Sequence, residues 1–293
     1  MSSSLKVIAT PIGNVRDITL RAMDEIKKAD VILAEDTRHS MRLIKALGLE
    51  LKKGCRMISC DSHKEQNRIE LVASMLMANE QVVFLSDAGC PAISDPGSLL
   101  VKGVLEKGCE VVPIPGPSAH SAALMAAGID TTRFSFLGFL PKKKSLRKKM
   151  VMRAESAGLA LIIYESIQRL QELLSFLYEH LGQRRVVVAR ELTKLHETFH
   201  RGTLGCELTP PLVVKGECVV VVELKREKAG DHIPPAGLET GIGASVQDFI
   251  GQELSLGHSA KDVVTVAAQK FSIKKRVAYE LVLKIRDGEM DQS

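Results

Sequence analysis

The 293-residue chain has no tryptophan, and its 8 phenylalanines and 3 tyrosines amount to only 4% of its residues. A row of rings stacked along a bound single strand therefore has little material to be built from. Long apolar runs are missing as well. Segments such as Leu159–Tyr164 and Val219–Val222 fall far short of the roughly 20 residues of a membrane span. The 6 cysteines (Cys55, Cys60, Cys90, Cys109, Cys206 and Cys218) form no C-x-x-C pair and lack the density of a disulfide scaffold. Free thiols in a reducing cytoplasm are the expectation. Met1–Leu5 holds no charged segment leading into an apolar one, so a secretory signal is not expected. Neither G-x-G-x-x-G nor G-x-x-x-x-G-K-[ST] occurs, which weakens dinucleotide and P-loop readings.

What is present is ordinary globular composition: 45% hydrophobic and 26% charged residues, with a mean hydropathy of +0.06. Up to residue 115, short apolar runs alternate with helical spacing. Val7–Ala9, Val31–Ala34, Val82–Leu85 and Glu110–Pro113 read as strands. Ile18–Lys28, Met41–Leu47, Ile69–Met77 and Leu99–Glu106 read as helices. Such alternation predicts βαβ units and a mostly parallel sheet. The run Pro115-Gly116-Pro117 interrupts it. Beyond lie an apolar segment (Ala119–Ala127), strands at Phe134–Leu140, Leu159–Tyr164, Val186–Arg190 and Val219–Lys225, and a helix over Ile167–Leu181. Residues 227–244, rich in glycine, proline and charge, read as a linker. In the tail, Ser259-Ala260-Lys261-Asp262 is a capping box and Ser272–Arg276 opens a second helix. The expected organisation is an α/β domain over 1–115, a second over 116–226, the linker 227–244, and a small helix-turn-helix-like module over 245–293.

Ligands of open α/β sheets bind beyond the carboxyl ends of the strands. Four unusual loops occupy those ends here: Thr10–Asn14, Glu35–His39, Ser86–Gly97 and Pro113–Ser118. Glycine and proline let backbone approach a ligand, and the acids supply acceptors. His196-Glu197-Thr198-Phe199-His200 is a literal H-E-x-x-H, the signature of zinc metalloproteases. It follows a strand, meets Arg201-Gly202 at once and has no third ligand in sequence, so the zinc reading is poor. Ser145–Lys148 and Ser272–Lys275 match S-x-x-K without companion motifs. The net charge is only +5, yet Lys142, Lys143, Lys144, Arg147, Lys148 and Lys149 fall within one run that has no interleaved acid. Phosphate binding accounts for such a run better than a salt-bridged helix face. Lys261, Lys270, Lys274, Lys275 and Arg276 add a second basic cluster.

The loops, taken in order, carry a resemblance. Ala9–Asn14 with Asp17–Ala22, Ala34–His39, Ser86–Gly89, Ser94–Gly97, Pro113–Ser118, Gly138–Pro141, Tyr164–Ser166, Ala189–Lys194, Glu197-Thr198 and Lys215–Glu217 resemble the small-subunit ribosomal RNA branch of the tetrapyrrole-methylase-like (class III) S-adenosylmethionine methyltransferases. The resemblance covers roughly residues 5–225, and the tail is similar to that branch's appended helical module. Two departures stand out: Cys90 replaces a threonine, and Asp61-Ser62-His63-Lys64-Glu65 replaces H-E-H-N-E.

The resemblance implies a two-lobed α/β fold and methyl transfer from S-adenosylmethionine to the ribose 2′-hydroxyl of a cytidine in the decoding region of small-subunit ribosomal RNA. It also implies cofactor neighbours at Pro11, Asp87, Ala88, Gly89, Pro91, Ser118, Tyr164, Leu192 and Gly216. A weakly acidic hydroxyl needs a base or a cation nearby; Glu35, Asp36 and Arg38 are the catalytic candidates. Lys142, Lys143, Lys144, Arg147 and Lys148 are the candidate RNA contacts. No metal is required, and a homodimer is the default assembly. The competing readings are a small-molecule (tetrapyrrole-type) methylase and a protein that holds RNA without chemistry.

Overall fold

The computed structural model describes residues 4–212, 216–223, 239–271, 273 and 275–286. The chain divides into two compact units, Met1–Arg226 and Glu227–Ser293.

The first unit is built on two five-stranded sheets. Strands β1 (Ser4–Ile8), β2 (Val31–Ala34), β3 (Arg56–Ser59), β4 (Val82–Leu85) and β5 (Glu110–Ile114) form one of them, in the order β3-β2-β4-β1-β5. All its pairings are parallel. Helices α1 (Leu20–Lys28), α2 (Thr37–Ala46), α3 (Glu65–Met77) and α4 (Ser98–Glu106) make the crossovers. The two-residue period of a strand sends alternate side chains to opposite faces. Val31, Leu33, Val82 and Phe84 pack with Val72 and Leu76 of α3 and Leu100 and Val104 of α4. Ile32, Val83 and Leu85 pack on the other side with Ala22 and Ile26 of α1 and Ile44 of α2. Strands β2 and β4 are buried throughout, which is why they read as uninterrupted apolar runs.

The second sheet has β6 (Phe134–Phe139), β7 (Ala160–Ser166), β8 (Arg185–Arg190), β9 (Thr198–Thr203) and β10 (Glu217–Val222) in the order β6-β7-β10-β8-β9. Only β6 and β7 run parallel; the other pairings are antiparallel. Helix α5 (Ala119–Ala127) covers one face through Ala123 and Ala127. Helices α6 (Lys144–Ser156) and α7 (Ile167–Leu181) cover the other through Val151, Leu173 and Leu177.

In the second unit, α8 (Glu239–Ser255), α9 (Ala260–Lys270) and α10 (Lys275–Arg286) pack through Val246, Ile250, Val263, Ala267, Ala278 and Val282. The capping box at Ser259 is formed: its Oγ accepts from the Asp262 N–H at 3.2 Å. The sequence suggested two helices in this module, and α8 is a third. Of the expected linker, residues 227–238 lie outside the described residues, and 239–244 belong to α8. Lys215 and Lys274 also lie outside the described residues. Among the described residues no helix is long and apolar enough to cross a membrane.

One cap sets the course of the loop before α4. Gly97 is its N-cap residue, at φ 126°, where a Cβ would come within 2.5 Å of Phe84 Cε1. With no side chain to cap the helix, the job passes to Glu65 of α3, which is 3% exposed. Its Oε2 accepts from the N–H groups of Leu99 (3.0 Å) and Leu100 (3.1 Å). Glu65 is the last residue of the variant Asp61–Glu65 stretch, and its carboxylate is engaged structurally. Charge-assisted bonds to a buried helix end contribute about 1.5–3 kcal/mol. Glu65→Ala should lower the urea-unfolding free energy of the protein by about 2 kcal/mol, and Glu65→Gln, which keeps an acceptor, by less than half of that.

Candidate active site

Two backbone hydrogen bonds join the loops that follow β1 and β4. Thr10 N donates to Gly89 O at 2.8 Å, and Gly89 N returns the bond to Thr10 O at 3.0 Å. Gly89 takes φ 78° to make this turn, a left-handed conformation that favours glycine. Two buried hydroxyls lock it: Thr10 Oγ1 donates to Ser86 O and Ser86 Oγ to Gly89 O, each at 3.2 Å. The same loops reach the second sheet. Asn14 N donates to Thr193 Oγ1 at 3.0 Å, and a Cβ on Gly13 would lie 2.5 Å from Lys194 Cγ. Gly138, at φ 57°, seats against Ser94, whose Oγ would be 2.6 Å from an added Cβ.

Between the two sheets lies a pocket of ≈ 260 Å³. The first sheet contributes Ala88, Gly89, Cys90 and Asp95 to its wall, and the second contributes Tyr164 and Leu192. Backbone strain concentrates there. Among the described residues five non-glycine positions have positive φ. Four of them, Ala92 (67°), Ser94 (61°), Glu191 (49°) and Thr193 (64°), sit in the two loops that wall the pocket. Strain of this kind collects at functional sites.

Acids crowd the pocket from the side of the first sheet. Burial, and then the neighbouring charges of Glu35 and Asp87, push the Asp95 carboxyl up to about 7. Asp95 makes no ion pair among the described residues. Burial also raises Glu35, although the Asp87 N–H donating to its Oε2 at 3.3 Å works the other way. Asp87 Oδ1 in turn accepts from Asp36 N at 3.1 Å. On the opposite wall, Tyr164 OH accepts from His120 N at 3.1 Å. Ser118 Oγ lies 2.9 Å from His120 Nδ1. Burial lowers the His120 pKa, favouring the neutral ring. Lys194 bridges Glu191 (3.0 Å) and Glu217 (3.1 Å) at the rim.

Of the cofactor neighbours expected from sequence, Ala88, Gly89, Ser118, Tyr164 and Leu192 line this pocket. Pro11, Asp87, Pro91 and Gly216 each adjoin a lining residue in the chain. The three catalytic candidates separate. Glu35 joins the acidic cluster. Asp36 caps α2, its Oδ1 accepting from Arg38 N (2.7 Å) and His39 N (3.3 Å). Those bonds hold its carboxyl below the usual range. The Arg38 side chain is 88% exposed and lines a separate groove with Arg42 and Lys45. Sequence reasoning did not single out Asp95, His120 or Phe139 for the pocket, although Asp95 and Phe139 stand inside the quoted motifs Ser94–Gly97 and Gly138–Pro141.

Among the candidate RNA contacts, Lys142, Lys143, Lys144 and Lys148 are exposed, as is Lys149. Arg147 is not: it is 6% exposed and turned inward. Its Nη1 pairs with Glu172 at 3.0 Å, its Nε donates to Pro141 O at 3.3 Å, and its guanidinium lies 5.2 Å from the Phe176 ring centre. Helical phase explains the correction, since Arg147, Val151 and Ala154 recur on the core-facing side of α6. The H-E-x-x-H also resolves. His200 lies in β9, wholly buried, with Nδ1 donating to Pro210 O at 2.7 Å. Glu197 Oε2 accepts from Thr193 N at 2.6 Å and braces a strained pocket loop. The motif is not helical, and among the described residues no three His, Cys, Asp or Glu side chains are placed to hold a metal.

A strained pocket at the carboxyl edge of a parallel sheet, closed by a second mixed sheet, belongs with a known class. Residues 4–206 match the model of the tetrapyrrole (corrin/porphyrin) methylases, and the chain belongs to that family. Along nearly its whole length it is also similar to proteins named ribosomal RNA small subunit methyltransferase I. It is 38% identical to that of Pseudomonas aeruginosa, over 98% of this chain and 99% of the relative. It is 37% identical to that of Escherichia coli O157:H7 (96% and 94%) and 35% to that of Halalkalibacterium halodurans (95% and 94%). In fold it is similar to the methyltransferase CobJ, with a TM-score of 0.58 at 20% identity, over 80% of this chain and 98% of that one.

The acidic pocket has a measurable cost. Asp95 ionises near pH 7 when folded and near 3.9 when unfolded. The folded protein thus loses stability as pH rises from about 4 through 7. Asp95→Asn should raise Tm relative to wild type by a few degrees at pH 8 and by clearly less at pH 5, measured by thermal denaturation without ligand.

Proposed function

We propose that the protein transfers the methyl group of S-adenosylmethionine to the ribose 2′-hydroxyl of a cytidine in the decoding region of small-subunit ribosomal RNA, acting in the cytoplasm as a homodimer. The observation that supports this most is a combination. Similarity to the ribosomal RNA methyltransferases runs nearly end to end, and five exposed lysines at 142–149 follow directly on a strand that lines the pocket.

The residues present suit the cofactor. Asp95 is a desolvated carboxylate influenced by other acids, and a cation is the charge its surroundings lack. The Ala88-Gly89 turn, Leu192 and Tyr164 would hold the cofactor, with Asp95 balancing its charge. When bound, S-adenosylmethionine supplies a methyl group already activated on a sulfonium. The protein's remaining work is alignment, exclusion of water and removal of one proton. Ile12, Leu192 and Val219 provide the apolar surface that keeps water out. Glu35 is the proton acceptor in this reading: it carries a raised pKa, whereas Asp36 is committed to its cap and Arg38 points to solvent.

A small-molecule, tetrapyrrole-type methylase is the second reading, favoured by the fold shared with CobJ. It gives no role to Lys142, Lys143, Lys144, Lys148 and Lys149. Calorimetry with S-adenosylmethionine tests both: no binding at micromolar concentration defeats both. Ribose-methylation mapping of small-subunit RNA from a deletion strain then decides the substrate, and an unchanged map defeats the first.

Replacing Lys142, Lys143 and Lys144 together by alanine should weaken RNA binding and make log K less steep against log salt by about 2, as loss of three phosphate contacts on a single strand requires. Affinity for S-adenosylmethionine should stay within twofold. Glu35→Gln should lower kcat on the order of 100-fold or more with the same cofactor affinity. Cofactor affinity should itself rise with pH through about 7 in wild type, as Asp95 ionises, and stay flat in Asp95→Asn.

A further inference from the structure

We infer that Phe139 is the platform on which the target nucleobase stacks when its ribose enters the pocket. The inference rests on RNA being the substrate, as proposed above. Phe139 ends β6 and lines the pocket, yet it is 55% exposed. It is the one ring that both lines the pocket and stays open to solvent among the described residues.

Its orientation is built in. A bulge between Phe136 and Gly138 shifts the β6–β7 register, so that Phe139 pairs with Tyr164. Bulges re-aim side chains in this way, and Gly138 holds the bulge at φ 57°, seated against Ser94. The Phe139 ring packs against Tyr164 with centres 5.6 Å apart at 65°. Tyr164 is itself fixed by Phe136, at 4.9 Å and 69°, and by its bond from His120 N. The platform is therefore rigid on its inner side and uncovered on its outer side.

Position supplies the second argument. Pro141 and the exposed Lys142, Lys143 and Lys144 follow within five residues, so cations for the strand's phosphates adjoin the ring that would take its base. A 2′-hydroxyl is carried on the same nucleotide as the base, and fixing the base restricts where the hydroxyl can lie. Eleven aromatic residues are too few to stack a strand, but one base needs one ring. Because every base has a π-face, Phe139 positions the nucleotide and leaves the choice of cytidine to other groups.

The chain's lack of tryptophan makes the test direct. In Phe139→Trp the introduced indole is the sole tryptophan. Its emission should be quenched by a decoding-region RNA oligonucleotide bearing the target cytidine, at concentrations where anisotropy shows the RNA bound. The same oligonucleotide with that one position abasic should bind without quenching. In kinetics with small-subunit particles from a deletion strain, Phe139→Leu keeps apolar bulk but removes the π-face. It should lose about tenfold to hundredfold in kcat/KM for RNA, with S-adenosylmethionine affinity within twofold, while Phe139→Trp keeps at least half the wild-type value. Wild-type activity in Phe139→Leu, cofactor affinity falling in step with RNA activity, or equal quenching by both oligonucleotides would each overturn the inference while wild type still methylates the RNA. If wild type leaves small-subunit RNA unmethylated, the proposed function falls first and the inference with it.

Discussion

The pair of hydrogen bonds between Thr10 and Gly89 is the constraint from which the site follows. It joins the loops after β1 and β4, which are neighbours in the sheet although 76 residues separate Thr10 from Ser86 in the chain. Once the two loops are tied, the β1 loop has one course left, over Gly13 and onto the loop at Thr193. The β4 loop must then run through the strained Ala92 and Ser94 to meet Gly138. Both contacts with the second sheet need a glycine for space, at 13 and at 138. The pocket is what remains between these fixed approaches, which is why its walls come from loops while its geometry comes from strands.

Charge is arranged in two zones that the net value of +5 conceals. Glu35, Asp87 and Asp95 gather at the pocket, where burial and neighbouring negative charge raise the cost of ionising Glu35 and Asp95. The lysines of the 142–149 run stay exposed on the turn before α6 and on its outer side, and the one cation of that run that turns inward finds Glu172. A folded protein keeps uncompensated acids in a pocket only against its own stability. The stability is recovered in the cores on both faces of each sheet, where the central strands β2, β4, β8 and β10 bury all or nearly all of their side chains. An arrangement that costs stability and puts like charges side by side is suited to a cationic ligand.

Most of the strands could be read from sequence because parallel, doubly covered strands must be apolar throughout, as Val31–Ala34 and Val82–Leu85 are. β3 and β9 escaped that reading. Both are edge strands, exposed along one side, and Arg56–Ser59 and Thr198–Thr203 carry the polar residues that edges tolerate. The same β9 turned H-E-x-x-H from a helical metal signature into a strand with a buried imidazole and a loop-bracing carboxylate. Arg147 misled for a different reason: a charge run is one-dimensional in sequence, while a helix distributes it by phase, and every third or fourth position faces the core, as Arg147, Val151 and Ala154 do. The pocket loops were legible as loops, and five of nine expected cofactor neighbours line one cavity. Which acid is desolvated was not legible, because the rise at Asp95 depends first on its burial and then on Glu35 and Asp87, and only the folded sheet edge supplies either.

The division of the pocket between two sheets also bears on how one family serves substrates of different size. The first sheet's loops supply the tight turn, the acids and half of the strained backbone, features that on the proposed function serve the small charged cofactor whatever the acceptor. The second sheet contributes β6 and its continuation into α6, where the exposed ring and the lysines lie. A tetrapyrrole is a large flat ring that brings its own aromatic surface, whereas a nucleotide within an RNA brings one small base and a chain of phosphates. A single open ring followed directly by cations matches the second shape and poorly matches the first. On the proposed function, the short segment from Gly138 to Lys149 is the part of the chain that meets the RNA, and the scarcity of aromatic residues elsewhere makes it stand out.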